Sequence, residues 1–178
     1  MLPTFSPVPG AKGYQQSNPS VFATASLIGA LQVFKEAGMM GPIRKWSIQL
    51  TASLESLLMQ SNHFVPLHEV AARYPGDTEE VKPCADASKV GFTIITPSDP
   101  ESRGAMLSLL ILPPASTSVM ESVFDALISY GVVGDKRDPN VIRLTPAPLY
   151  NTIDDCRRAA ACLEDAFRLL STSMKNLP

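Results

Sequence analysis

Apolar residues along this chain follow two rhythms, one returning every three or four positions and one of short unbroken runs. Val21, Ala25, Ile28, Leu31 and Phe34 keep helical spacing and predict a packed helix. Asn18 serves as its N-cap, Pro19 as its first residue and Gly38 as its stop. Gly41-Pro42 opens a second helix whose inner face is Ile43, Trp46, Leu50, Leu54 and Leu57, with the tryptophan in the core. Phe92 to Thr96, closed by Pro97, and Met106 to Leu112, closed by Pro113-Pro114, read as strands joined by a hairpin connection through residues 98–104.

Ser118 and Glu121 suggest a capping box for a third long helix, with Met120, Val123, Phe124, Leu127 and Ile128 facing inward and Gly131 ending it. Val132-Val133 and Val141 to Leu144 then read as two short strands on either side of the turn Asp138-Pro139-Asn140. Pro146 and Pro148 cannot donate to a sheet ladder, so the second of these strands ends before them. Thr152 and Asp155 cap a last helix striped by Ile153, Cys156, Ala160, Leu163, Phe167 and Leu170. Asp154 and Asp155 suit the positive end of that helix.

The order helix, helix, strand, strand, helix, strand, strand, helix predicts an α+β fold, a small antiparallel sheet with helices against one face. Residues 1–17 have no period and read as an extended lead-in, and 18–178 as a single domain. Within it the polar stretch 61–90 reads as a surface insertion with one short helix near Val65 to Ala72.

Composition narrows the function classes. The 178 residues are 45% hydrophobic and 18% charged with a net charge of −2, which suits a globular domain and gives no electrostatic footprint for nucleic acid. No apolar run reaches the roughly 18 residues that cross a bilayer. The first residues lack the basic and apolar regions of a secretory signal, so the cytoplasm is the expected location. Cys84, Cys156 and Cys162 form no C-x-x-C pair, and Cys156 falls on an apolar helix face. His63 and His68 are five apart with no third ligand in view, so no metal site is expected.

Candidate chemistry begins with Arg143, a lone cation in an apolar strand. Burying it alone is costly, so it needs a carboxylate, supplied either by the protein as an ion pair or by a ligand. Arg103, in the hairpin connection, has a functional reading as a site cation, but a loop arginine there reads first as structural. Asn18 has two readings, a helix cap or a ligand contact beside backbone N–H groups that suit an anion. Tyr150 and Asn151 read as packing and as the start of the last helix.

Three segments together resemble the kynureninase family. Asp135-Lys-Arg-Asp-Pro-Asn-Val-Ile-Arg143, continued to Tyr150-Asn151, resembles its Asp-Lys-Arg-x-Pro-Asn-x-Ile-Arg-x-x-Pro-x-Pro-Leu-Tyr-Asn pattern. Gly13 to Pro19 resembles its Gly-[Phe/Tyr]-x-x-Ser-Asn-Pro segment, and Arg103-Gly104 its Arg-Gly-x-x-Leu segment. The resemblance implies the C-terminal small domain of a fold-type I enzyme using pyridoxal 5'-phosphate. It further implies a homodimer that hydrolyses kynurenine or 3-hydroxykynurenine to anthranilate or 3-hydroxyanthranilate and alanine, in tryptophan degradation and NAD biosynthesis.

By that resemblance Arg143 holds the substrate's α-carboxylate, Asn18 lies in the cofactor and substrate site, and Ser17 beside it is a further substrate candidate. No catalytic residue is assigned. None of Lys12, Lys35, Lys45, Lys82, Lys89, Lys136 and Lys175 stands in the Ser/His-Lys context of the family's Schiff-base lysine. Asp86 and Lys89 are three apart in a loop, whereas the family separates its aspartate and lysine widely. The expectation is a chain that is inactive alone and needs a large cofactor-binding domain or second subunit as partner. The alternative is a free-standing α+β module that binds a small ligand or a protein.

Overall fold

The computed structural model describes residues 6–75, 90–114 and 117–175. Lys82, Cys84, Asp86 and Lys89, named above, lie outside these residues. Residues 1–42 and 43–178 form two compact units.

In the first unit a 3-10 turn, Ala11–Tyr14, precedes helix α1, Val21–Glu36. The expected cap moves by two residues. Ser20, not Asn18, is the N-cap, and its hydroxyl accepts the Ala23 N–H at 3.4 Å. Ser17 takes the left-handed conformation, φ 61°, and Asn18-Pro19 lead out of that bend before the helix begins. Gly38 ends α1 as expected, at φ 85°: the Met39 N–H bonds Phe34 O at 2.8 Å and the Gly38 N–H bonds Lys35 O at 3.1 Å.

The predicted packing of α1 is not seen. None of its residues is buried, and Val21 and Phe22 are 79% and 86% exposed. The period correctly located the helix but not a partner for it. Apolar residues fall on every side of α1, and among the described residues its unit otherwise holds one short turn and the first residues of the next helix.

The second unit is built on helix α2, Met40–Met59, which begins at the end of the first unit. Its buried stripe is Ile43, Ser47, Leu50, Thr51, Leu54 and Leu58, so Leu58 takes the inner place expected of Leu57 and Trp46 is half-buried. Helix α3, Leu67–Arg73, follows, then strands β1, Gly91–Ile94, and β2, Leu107–Leu112. Helix α4, Thr117–Ser129, strands β3, Asp135–Arg137, and β4, Val141–Leu144, and helix α5, Ile153–Lys175, complete the chain. The sheet is antiparallel in the order β1-β2-β4-β3. Phe92, Leu107, Leu109, Ile111, Ile142 and Leu144 form its inner face, packed with Leu50, Leu54, Val123, Leu127, Leu163 and Phe167 of the helices. This is the expected α+β arrangement.

Two local expectations change. Val132-Val133 is not a strand, because the Val132 N–H bonds Leu127 O at 2.9 Å and so helps close α4 at Gly131, φ 81°. The polar Asp135–Arg137 pairs with β4 instead, and a charged segment is a fitting sheet edge. Helix α4 is described from Thr117, with Ser118 inside it, and Glu121 pairs with Lys136 at 3.6 Å. The cap at α5 is as expected: Thr152 N–H donates to Asp155 Oδ2 at 2.8 Å and Asp155 N–H to Thr152 Oγ1 at 3.2 Å. The bonds its carboxylate accepts from the Thr152 N–H and hydroxyl, with Arg158 beside it, hold the Asp155 carboxyl down at about 2.

Residues 63–65 run along the outer edge of β1, with Val65 N–H on Phe92 O and Phe92 N–H on His63 O, both at 2.9 Å. Gly91 makes this approach possible, since a Cβ there would sit 2.5 Å from His63 O. Gly91→Ala is expected to push the two segments apart and cost about 1–3 kcal/mol. A urea denaturation series checks it, and an unchanged midpoint would mean the spacing is looser than described.

Candidate functional site

Alternation along β4 decides which way its cation points. Ile142 and Leu144 are buried on the helix face, so Val141 and Arg143 project from the opposite face. Ser108 of β2 and Asp135 of β3 stand directly across from Arg143 on its two sides. Asp135 and Arg137 share that face, while Lys136 turns the other way, to Glu121 and the Phe124 ring. The result is a row across the sheet, Ser108, Arg143 and Asp135, with Arg137 beside it.

Arg143 is paired. Its Nε donates to Asp135 Oδ2 at 2.9 Å, and its Nη2 donates to the same oxygen. Arg137 Nη2 lies 2.9 Å from that oxygen as well. Asp135 therefore stands between two guanidinium groups, and its carboxyl is held below the ordinary carboxylate range, chiefly by the hydrogen bond from Arg143. The Arg143 side chain keeps 25% of its exposure and that of Asp135 47%. One carboxylate among two cations leaves the row with net positive charge, at the partly exposed β4–β3 side of the sheet.

The sequence missed this partner, although a signal was present. Asp135 and Arg143 lie at equal distances on either side of Pro139, so a hairpin centred there must set them opposite each other.

Ser17 and Asn18 belong to the first unit and are exposed. Gln15 Nε2 donates to Ser17 O at 2.9 Å. Neither residue caps α1, so Asn18 is released from the structural role that competed with a ligand role.

Arg103 is structural, as expected, and more deeply held than a loop position suggests. Its side chain is 4% exposed and meets Glu55 in two parallel bonds, Nη1 to Oε1 at 2.8 Å and Nη2 to Oε2 at 2.6 Å. Nη1 also donates to Pro97 O at 3.1 Å. His63 stacks on Phe167 with ring centroids 5.0 Å apart, and His68 lies on the surface beside Glu69. Asn151 closes the segment before α5, its Oδ1 accepting the Ala147 N–H at 2.7 Å.

A pocket of about 430 Å³ opens between the end of α4, the end of β4 and α5, lined in part by Tyr130, Val132, Leu144, Pro146 and Cys162. Arg143 is not in its wall and faces away from it. Among the described residues no helix is long and apolar enough to cross a membrane, and no group of three His, Cys, Asp or Glu could hold a metal ion.

Comparison with known proteins covers almost the full chain. The family model described as "Kynureninase C-terminal domain" matches residues 78–163. A kynureninase of Yarrowia lipolytica is 42% identical over 173 residues, which is 97% of this chain and 36% of that protein. A kynureninase of Cryptococcus neoformans is 42% identical over 166 residues, covering 93% of this chain and 32% of the relative. One of Coccidioides immitis is 42% identical over 167 residues, 88% of this chain and 30% of the relative. The chain thus spans about a third of the length of these relatives.

Proposed function

We propose, from the premise that this chain belongs with the kynureninases and carries their C-terminal domain, that it supplies the substrate-carboxylate site of a kynurenine-hydrolysing enzyme. The observation that carries the proposal is the net positive row of Arg143, Asp135 and Arg137 at the partly exposed β4–β3 side of the sheet. A kynurenine-type amino acid presents an α-carboxylate, and a planar guanidinium fixes such a group in position as well as charge. Held there, the amino acid is oriented for cleavage of its side chain, giving anthranilate or 3-hydroxyanthranilate and alanine. In the first unit, Ser17 and Asn18 are further substrate candidates, and Asn18 is a cofactor candidate as well.

Pyridoxal 5'-phosphate, when bound, supplies the electron sink for this chemistry through a lysine. The described residues do not fit that attachment. Lys12, Lys35, Lys45 and Lys136 are exposed, whereas a Schiff-base lysine needs a desolvated setting that lowers its pKa. The large cofactor domain is therefore assigned to another part of the protein or to a second subunit of a cytoplasmic homodimer, and this chain alone is inactive. Mixing the purified chain with pyridoxal 5'-phosphate is expected to give no visible band from a lysine adduct. A stable band removed by substituting one lysine would overturn the assignment.

The second reading is a self-sufficient module that binds a ligand or a protein. The exposed apolar sides of α1 favour a piece of a larger assembly instead. Light scattering and dye binding on the isolated chain distinguish the two. Self-association and strong dye uptake are expected, both reduced by Phe22→Ser and Leu27→Ser together. A monomer that takes up no dye would favour the module.

A further inference from the structure

We infer that Asp135 is a positioning residue for Arg143, holding one edge of the guanidinium so that the other faces the substrate's carboxylate. The inference rests on the substrate role of Arg143 proposed above and goes beyond it by assigning the residue that sets its geometry.

A guanidinium offers two edges to carboxylates. One, formed by Nε and Nη2, lies along the side of the group, and the other, formed by Nη1 and Nη2, lies at its end. Asp135 takes the side edge with a single oxygen, Oδ2, accepting from both Nε and Nη2. That leaves the end fork, Nη1 with the remaining hydrogen of Nη2, for a second carboxylate in the bidentate arrangement. Among the described residues Asp135 is the one carboxylate paired with Arg143.

Asp135 is itself fixed from two directions. The hairpin register puts its Cα opposite that of Arg143, and Arg137 Nη2 holds Oδ2 from the other side at 2.9 Å. An arginine side chain has four rotatable bonds, and ordering it on ligand binding carries an entropic cost. A guanidinium already held along one edge avoids part of that cost. The second cation also matters, because a single Asp facing Arg143 alone would cancel the charge that attracts the ligand. With Arg137 present, Asp135 orients Arg143 without neutralising the row.

The opposite role, a carboxylate that plugs Arg143 and must be displaced by substrate, predicts the reverse sign. Removing the charge at 135 would then tighten substrate binding.

The test uses the full chain joined to the portion of the Yarrowia lipolytica kynureninase that it does not match, with L-kynurenine as substrate. Asp135→Asn is expected to raise KM about tenfold with kcat changed less than about twofold, the pattern of lost ground-state positioning. Asp135→Glu is expected to recover most of that loss, and Arg137→Gln to raise KM only about two- to threefold, within the range of an exposed ion pair. An unchanged or lower KM in Asp135→Asn, while Arg143→Gln raises it, overturns the positioning role and leaves the substrate role of Arg143 standing. An unchanged KM in Arg143→Gln instead overturns the substrate role, and this inference with it.

A readout on the chain alone stands apart from catalysis. The Arg143 Nε–H is expected to give a distinct, exchange-protected nitrogen-15 NMR signal that Asp135→Asn abolishes and Asp135→Glu retains. A signal indifferent to both substitutions would show that Asp135 does not hold the side edge, and would also overturn the inference.

Discussion

Arg143→Gln, placed in a complete kynureninase built on this chain, is expected to raise KM for kynurenine by about 30- to 4000-fold. The range follows from losing one partner of a hydrogen-bonded charge pair, about 2–5 kcal/mol, at tenfold per 1.4 kcal/mol. Glutamine keeps part of the side chain's length but offers one amide in place of a charged fork. Arg143→Lys is expected to recover little, because an ammonium restores charge without the two parallel bonds that fix the carboxylate's plane. Steady-state kinetics check both. The fold should tolerate the change, since Arg143 projects away from the helix-packed core and its partner Asp135 is half exposed and still faces Arg137. Equal KM values for the arginine and glutamine forms would remove Arg143 from the site.

The largest effect on stability is expected at the other arginine. Arg103 and Glu55 meet in two parallel bonds, with side chains 4% and 18% exposed. Together with the bond to Pro97 O they tie α2 to the connection between β1 and β2. Removing either side chain leaves the other charge poorly solvated, at a cost of about 3–5 kcal/mol. At about 2–4 °C per kcal/mol for a chain of this size, Arg103→Ala or Glu55→Ala should lower Tm by about 6–20 °C. Replacing both with apolar residues of similar volume should cost much less than the two single changes added together, because no charge is then stranded. Calorimetry on the four forms measures this. Additive losses would mean that the two groups act independently.

The pH dependence of stability should carry the mark of the paired carboxylates. Asp155 is held at about 2 by the Thr152 cap, and Asp135 is lowered by Arg143. A carboxyl that is lower in the folded state contributes stability that is present above its unfolded value near 3.9. That contribution is lost as the pH falls from there through the folded value. For Asp155 the window is about pH 4 down to about 2.

Much of this architecture was legible in the sequence where local chemistry and tertiary packing agree. The α5 stripe and its Thr152–Asp155 cap, the runs that became β1 and β2, and the glycine stops at 38 and 131 all carry their own signal. Reading failed where a neighbour decides. Val132-Val133 has strand propensity, yet its backbone closes a helix, while Asp135–Arg137 is polar and pairs only because the turn at 138–140 sets it beside β4. The period of α1 promised a packed helix, but periodicity cannot say what covers it, and none of the described residues of its own unit does. At the site, Arg143 was visible as a cation out of place among apolar residues. Asp135 was not, because its meaning comes from register rather than composition.

Kynurenine hydrolysis, measured on this chain alone and on the chain joined to the rest of a kynureninase, tests the assignment most directly. No turnover is expected from the chain alone, even with pyridoxal 5'-phosphate added, and turnover is expected from the joined protein, falling sharply with Arg143→Gln. Hydrolysis by the isolated chain, or a joined enzyme indifferent to residue 143, would contradict it.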